Sequence, residues 1–368
     1  MNASLYMPVR VLAGRGILAQ NADKLALGHH ALIVTGRNSA RLCGALDDVI
    51  ATLEKVEISY TVFDQISENP PLLTCYEGGQ IATRSGADFV IGIGGGSPLD
   101  AAKAIAAFAA NPTLVPMDVY DSEKRVNVSL PIVAIPTTAG TGSEVNPYSV
   151  LTLPDGERKK TFTADCSWPQ IAFVDPKYTD SLPHKTTVST ALDAFAHAME
   201  SYLSPKSTVY SEQMALLAAG KIWAVLSERP VAFTEQMRDA LSVASTAAGI
   251  AISVTGTGFP HPLGYSLTLL DGVPHGRACA VFAGAYITYN QKSELGREKL
   301  DRFAAACGTT AETLAAQLPI LSEVEFSFAD EEIERRVLLI ENAKNYSNSP
   351  YVISKDEMRE IYKNLFQK

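Results

Sequence analysis

The hydrophobic pattern changes period near Pro183, and that change constrains the fold more than any single motif. Before it, short apolar β-rich runs recur: HALIVTG at residues 30–36, SYTVFDQI at 59–66, DFVIGIGGG at 88–96 and LPIVAIPTT at 130–138. Helix-spaced segments such as PLDAAKAIAAFAA lie between them. Such alternation predicts a parallel sheet with helices on its faces. After Pro183 come TTVSTALDAFAHAMESYL, SEQMALLAAGKIWAVLSE and QMRDALSVASTAAGIAIS, whose apolar residues recur at three and four positions. That is the helix period. Ser354 with Glu357 forms a capping box ahead of a last helix. The expected organisation is an α/β domain over residues 1–181 and an all-helical domain over 182–368.

The 368 residues suffice for two separate cores. A formal net charge of -9 repels phosphate backbones, so nucleic acid is not an expected partner. A local basic site for one small anionic cofactor is compatible with that balance. Cys43, Cys75, Cys166, Cys279 and Cys307 form no CxxC pair, and their odd number suits reduced thiols in a cytoplasm. The start, MNASLYMPVR, shows no secretory pattern. No uninterrupted apolar run reaches the roughly 18 residues a membrane span needs, so no membrane association is expected.

Asp193 and His197 stand four residues apart in ALDAFAHAMESYLS, and His261 and His275 follow. An i, i+4 pair shares one helix face, with Cβ atoms about 6 Å apart. One carboxylate with three imidazoles suits Fe(II) or Zn(II), not calcium or a cluster. For the pair alone, a solvent-facing Asp193 and a core His197 are the better account of the pattern.

Two loops carry phosphate-binding chemistry. In Ile91-Gly92-Ile93-Gly94-Gly95-Gly96-Ser97-Pro98-Leu99-Asp100, a strand gives way to glycines and then to a helix start. Glycines let backbone N–H groups approach an anion, and a helix N-terminus favours negative charge. Ser97 is the expected N-cap, with Pro98 at the first helical position and Asp100 three residues after the cap. A dinucleotide pyrophosphate fits here; a bare βα turn is the alternative. The second loop, Pro136-Thr137-Thr138-Ala139-Gly140-Thr141-Gly142-Ser143-Glu144, offers hydroxyls after another strand. Ligands of open α/β sheets bind at the carboxyl ends of strands, so both loops could serve one cofactor.

In this order, GIGGGSPLDAAK, IPTTAGTGSEV, ALDAFAHAMESYLS and HPLGYSLTLLDGVPHG resemble the motifs of the iron-containing (group III) alcohol dehydrogenase family, within its NADP-linked, butanol dehydrogenase-like branch. They span residues 92–276. The resemblance implies a Rossmann-like NAD(P)-binding domain, a helical metal-binding domain and catalysis in a cleft between them. It implies Asp193, His197, His261 and His275 as metal ligands and hence the catalytic centre, for Fe(II) or alternatively Zn. It assigns Gly94, Gly95, Gly96 and Ser97 to the pyrophosphate, and Asp100 to the nicotinamide end. Thr137, Thr138 and Thr141 become cofactor contacts, and Lys159 the lysine at the nicotinamide ribose, with Lys160 as fallback.

Two departures from the family pattern matter. Many members carry a histidine four residues after the third ligand, where this chain has Tyr265. NAD-preferring members often place an Asp after the second strand, where this chain has Val34-Thr35-Gly36-Arg37-Asn38-Ser39. No carboxylate there repels a 2′-phosphate, so Gly36, Arg37 and Asn38 favour NADP over NAD. The implied reaction interconverts a primary alcohol and an aldehyde. Phe162, Phe259, Pro260 and Leu263 suggest an apolar substrate pocket. A homo-oligomer, such as a dimer, is compatible with the chain. The alternatives are a zinc-dependent glycerol dehydrogenase, which generally uses two histidines, and a dehydroquinate synthase-like lyase, which needs a basic cluster the helical half lacks. A non-catalytic NADP-binding or metal-storage protein is a further alternative.

Overall fold

The computed structural model describes residues 3–126 and 128–367. It forms two compact units. One comprises Met7–Pro183 and Phe233–Thr246; the other comprises His184–Ala232 and the chain from Ala247 onward, with the first few residues.

The first unit is built on a six-stranded sheet. Its strands are β1 (Arg10–Ala13), β2 (His30–Gly36), β3 (Ser59–Ile66), β4 (Phe89–Gly94), β5 (Ile132–Pro136) and, after a hairpin, β8 (Ile171–Val174). The order is β1-β8-β5-β4-β2-β3, and every pairing is parallel. The hairpin pairs β6 (Ser149–Thr152) antiparallel with β7 (Lys159–Phe162). Strand side chains alternate between the two faces. Leu32, Val34 and Val90 join one apolar cluster, while Ala31, Ile33, Ile91 and Ile93 join another. The helices α2 (Leu72–Ser85) and α3 (Gly96–Ala110) cover the first cluster, and α1 (Ala45–Lys55) covers the second. Both faces are therefore buried, as a parallel sheet requires. The chain leaves β2 toward one edge through β3, then crosses to β4 on the other side of β2. That reversal marks the crevice where such sheets hold ligands.

Two details differ from the sequence expectation. The helix after β4 starts at Gly96 with Gly95 as its cap, so Ser97 lies inside the first turn. Ser97 Oγ instead accepts a hydrogen bond of 3.2 Å from the Asn69 backbone N–H. Three glycines let the turn tighten two residues earlier than a serine cap would. The strands β1 and β8 were not anticipated; each has four residues, too short to show a period.

Phe233–Thr246 belongs to this first unit although its neighbours in sequence do not. The Arg238 guanidinium donates to the Thr179 and Leu182 carbonyls. Arg15 Nε donates to Asp239 at 2.9 Å.

The second unit is helical. It contains α4 (His184–Leu203), α5 (Pro260–Leu270), α6 (His275–Ala280) and the last helix, α7 (Lys355–Phe366). From Ala191 to Leu203 every residue of α4 is buried. The capping box at α7 forms as expected: Glu357 N–H donates to Ser354 Oγ at 3.2 Å, and Ser354 N–H donates to the Glu357 carboxylate at 2.8 Å. Among the described residues, no single helix is long and apolar enough to cross a membrane.

Candidate metal centre and dinucleotide loops

Asp193 and His197 occupy successive turns of α4 and point the same way. His261 lies in the first turn of α5, and His275 opens α6. Close backbone packing brings α6 to α4. A Cβ at Gly276 would sit 1.8 Å from the Ser189 carbonyl oxygen and 2.8 Å from the Asp193 nitrogen. Only glycine permits that approach, which carries His275 to the carboxylate.

The four side chains meet at one oxygen. Asp193 Oδ1 is 3.8 Å from His197 Nε2, 3.7 Å from His261 Nε2 and 4.0 Å from His275 Nε2. The His197 and His261 rings stack at 4.7 Å. Bonds of about 2.0–2.2 Å to a four-coordinate ion put neighbouring donors about 3.3–3.6 Å apart. The observed spacing is within a few tenths of an ångström of that, so the donor set fits Fe(II) or Zn(II). Asp193, His197 and His261 are nearly enclosed, whereas the His275 side chain is 29% exposed. Its side is where the centre opens.

Two imidazoles have their protons fixed by neighbours. His261 Nδ1 lies 2.8 Å from both oxygens of Glu200, which is fully buried and also accepts the Gly258 N–H. A carboxylate accepts only, so Nδ1 carries the proton and Nε2 presents its lone pair to Asp193. His275 Nδ1 lies 3.3 Å from Thr268 Oγ1, whose own hydrogen goes to the Gly264 carbonyl. The hydroxyl therefore accepts from Nδ1–H, and His275 Nε2 also faces Asp193. Such partners orient metal-binding imidazoles and raise their basicity. Glu200→Ala should lower metal affinity about 10- to 100-fold, measured by competition with a chelator; unchanged affinity would remove Glu200 from the site. Glu200 was not singled out from the sequence. Its signal was there: positions 193, 197 and 200 follow the i, i+4, i+7 spacing of one helix face.

Tyr265 stacks on the His275 ring at 6.0 Å, and burial pushes its hydroxyl pKa up. Phe259 and Leu263 are completely buried, Phe259 edge-on to Tyr286. Pro260 is buried at the start of α5. In the first unit, Phe162 belongs to the sheet core under the Arg125 guanidinium. Each of the four side chains is packed within its own unit.

In the first unit the two loops touch. Strands β4 and β5 are adjacent, and Thr137 N–H donates to the Gly94 carbonyl at 2.9 Å. Gly94 has a φ of 151°, open to glycine alone. A Cβ at Gly96 would sit 2.7 Å from Thr141 Cγ2, so the glycine turn lies directly against the threonine loop. Arg37 and Asn38 are exposed just past Gly36, at the end of β2.

Behind the loops lies a polar core that sequence reasoning passed over. Lys103 is fully buried and donates to Ser143 Oγ at 2.7 Å and to the Tyr148 carbonyl at 2.7 Å. Asp100 accepts from Ser143 Oγ at 2.5 Å and from Val150 N–H at 2.8 Å, with Lys103 Nζ at 3.8 Å. Glu144 accepts from Thr246 Oγ1 at 2.9 Å. Burial pulls the Lys103 ammonium down to about 8 and pushes the Asp100 and Glu144 carboxyls up. The carboxylate of Asp100 is thus committed to joining α3 with the β6 end of the threonine loop. Lys159 and Lys160 point to opposite sides of β7. Lys160 Nζ packs over the Tyr120 ring at 4.4 Å, while half-buried Lys159 stabilises the Asp100 carboxylate electrostatically.

A doubly wound parallel sheet, joined in sequence to helices that gather one carboxylate and three imidazoles, defines a metal-dependent oxidoreductase. The family model for iron-containing alcohol dehydrogenase matches residues 8–176, and that for the C-terminal part of Fe-containing alcohol dehydrogenases matches residues 187–366. The chain belongs to the iron-containing alcohol dehydrogenase family, whose members oxidise alcohols or reduce aldehydes. The NADPH-dependent butanol dehydrogenase of Clostridium saccharobutylicum is 28% identical over 380 aligned positions, covering 98% of this chain and 97% of that protein. Lactaldehyde reductase of Escherichia coli strain K12 is 30% identical over 319 residues, covering 86% and 82%. Among solved structures, an iron-containing alcohol dehydrogenase from Thermotoga maritima matches with a TM-score of 0.91 at 37% identity, over 99% of each chain. Sulfoacetaldehyde reductase from Bifidobacterium kashiwanohense, in complex with NAD+, matches with a TM-score of 0.87 at 28% identity, over 99% of each chain.

Proposed function

We propose that this chain interconverts a primary alcohol and its aldehyde with NADP as hydride carrier, using an Fe(II) ion held by Asp193, His197, His261 and His275. The observation that carries the reading is the convergence of three imidazole Nε2 atoms within 3.7–4.0 Å of Asp193 Oδ1. When bound, the ion supplies Lewis acidity toward the substrate oxygen, and the dinucleotide supplies the hydride. Three neutral imidazoles and one carboxylate leave a divalent ion its net positive charge. Glu200 and Thr268 hold two of the rings as Nε2 donors, so no proton has to leave them on metal binding. In residues 1–181, Gly94, Gly95, Gly96 and Ser97 take the pyrophosphate, and Thr137, Thr138 and Thr141 line the same site. Lys159 serves the nicotinamide ribose. Asp100 serves that end through the loop it braces. Residues 182–368 hold the metal.

The preference for NADP rests on Arg37 and Asn38, exposed after β2 with no carboxylate between Val34 and Ser39. An arginine–phosphate contact contributes roughly 1.5–3 kcal/mol. The test follows absorbance at 340 nm with butyraldehyde, added Fe(II) and either NADPH or NADH. NADPH should give the higher kcat/KM, and Arg37→Ala should lower it at least about tenfold while leaving NADH unaffected. Equal or better use of NADH sinks the NADP reading. Glycerol oxidation with NAD, at Zn(II) and not at Fe(II), would favour a polyol dehydrogenase instead.

A further inference from the structure

We propose that Cys279 supplies a sulfur donor to the same metal centre. This rests on the ion being held at Asp193, as argued above, and extends it to a ligand type that the carboxylate–imidazole set lacks. One donor atom each from Asp193, His261, His275 and Cys279 lies within 4.8 Å of all the others. Opposed bonds of about 2.1 Å and 2.3 Å to nitrogen and sulfur span about 4.4 Å. Donor atoms this close together can share one ion. Cys279 Sγ is 3.8 Å from His275 Nε2. Neighbouring nitrogen and sulfur donors on a tetrahedral ion stand about 3.6 Å apart.

The sequence delivers this sulfur by a simple device. Cys279 follows His275 by four residues on α6, so the two share a helix face. Gly276 seats that helix against the backbone of Asp193, and Gly264 lets α5 approach α6 at the Ala278 carbonyl. Both close approaches hold the backbone at Cys279 beside the carboxylate helix. His197 reaches Asp193 Oδ1 from the same helix as the carboxylate, one turn on. The centre thus has a fifth donor, and a soft one. Thiolate favours Zn(II) and Co(II) over Fe(II) relative to an oxygen–nitrogen set.

The experiment strips the full-length protein with a chelator, reloads it with Co(II) and records the spectrum. Wild type should bind one cobalt per chain and show visible d–d bands together with a near-ultraviolet sulfur-to-cobalt charge-transfer band. Cys279→Ser should keep the cobalt and the d–d bands, lose the charge-transfer band, and bind Zn(II) at least about tenfold more weakly. Cys307→Ser should keep all three features. Should Cys279→Ser fail to fold, X-ray absorption at the zinc edge of the wild type must show sulfur at about 2.3 Å. Cobalt bound with d–d bands but no charge-transfer band, or a band that survives Cys279→Ser, makes Cys279 a packing residue and leaves the four-ligand centre standing. Absence of stoichiometric cobalt binding overturns both.

Discussion

Asp193→Ala should release the metal and cut turnover by at least about a thousandfold, while the helical unit stays folded. The carboxylate is the only anion in the group of four and the point on which the three imidazoles converge. Without it the three imidazoles, which are neutral donors, have no carboxylate to anchor a divalent ion. Lewis-acid stabilisation contributes several kcal/mol, and each 1.4 kcal/mol is tenfold in rate. The fold should survive because alanine is the better helix former and deletion strands no buried anion. His275→Ala should act in the same direction with a smaller loss, since two imidazoles and the carboxylate remain. Metal per chain by elemental analysis, NADPH consumption and far-ultraviolet circular dichroism separate loss of metal from loss of fold. Normal turnover by a metal-free variant would refute the Lewis-acid role.

The second large effect is expected at Lys103, in the α/β unit. Lys103→Met should destabilise the α/β unit by about 3–5 kcal/mol, because it leaves the buried Asp100 and Glu144 carboxyls without their cation. It should also weaken dinucleotide binding. Lys103 ties α3, which starts at the glycine turn, to Ser143 in the threonine loop and to Tyr148 just after it. Urea unfolding reports the first effect and a fluorescence titration with NADPH the second. A variant as stable as the wild type would mean that the two carboxyls are protonated in the fold, with the ammonium a passenger.

Much of this architecture is legible in the sequence. The runs at residues 30–36 and 59–66 became β2 and β3 without adjustment, because each is a β-rich run of seven or eight residues, long enough to stand out. The run at 88–96 ended two residues early, since the helix dipeptide Gly95-Gly96 needs no side-chain cap. The strands β1 and β8 escaped notice because four residues carry no measurable period. At the centre, the spacing of Asp193 and His197 shows only that they share one helix face; their reading as metal ligands comes from the ordered motifs around them. Glu200 and Cys279 were legible in principle, at the same helical intervals, but carried no reason to be chosen among many buried polar and sulfur-bearing residues. Lys103 was hidden for a different reason. A lysine on an alanine-rich helix gives no sign that its ammonium ends inside the protein.

The sequence by itself determined what depends on neighbours along the chain: the periods of strand and helix, the flexible glycine turn, the i, i+4 placement of carboxylate and imidazole. Only the tertiary structure decided which distant residues share a point in space. The contact of Gly276 with the backbone at Ser189 and Asp193 brings His275 and Cys279 to the carboxylate, and no local propensity encodes it. The same holds for the Glu200 proton lock on His261, across 61 positions. Local order follows from short-range sterics, whereas a site assembled from separate helices follows from how closely their backbones can pack.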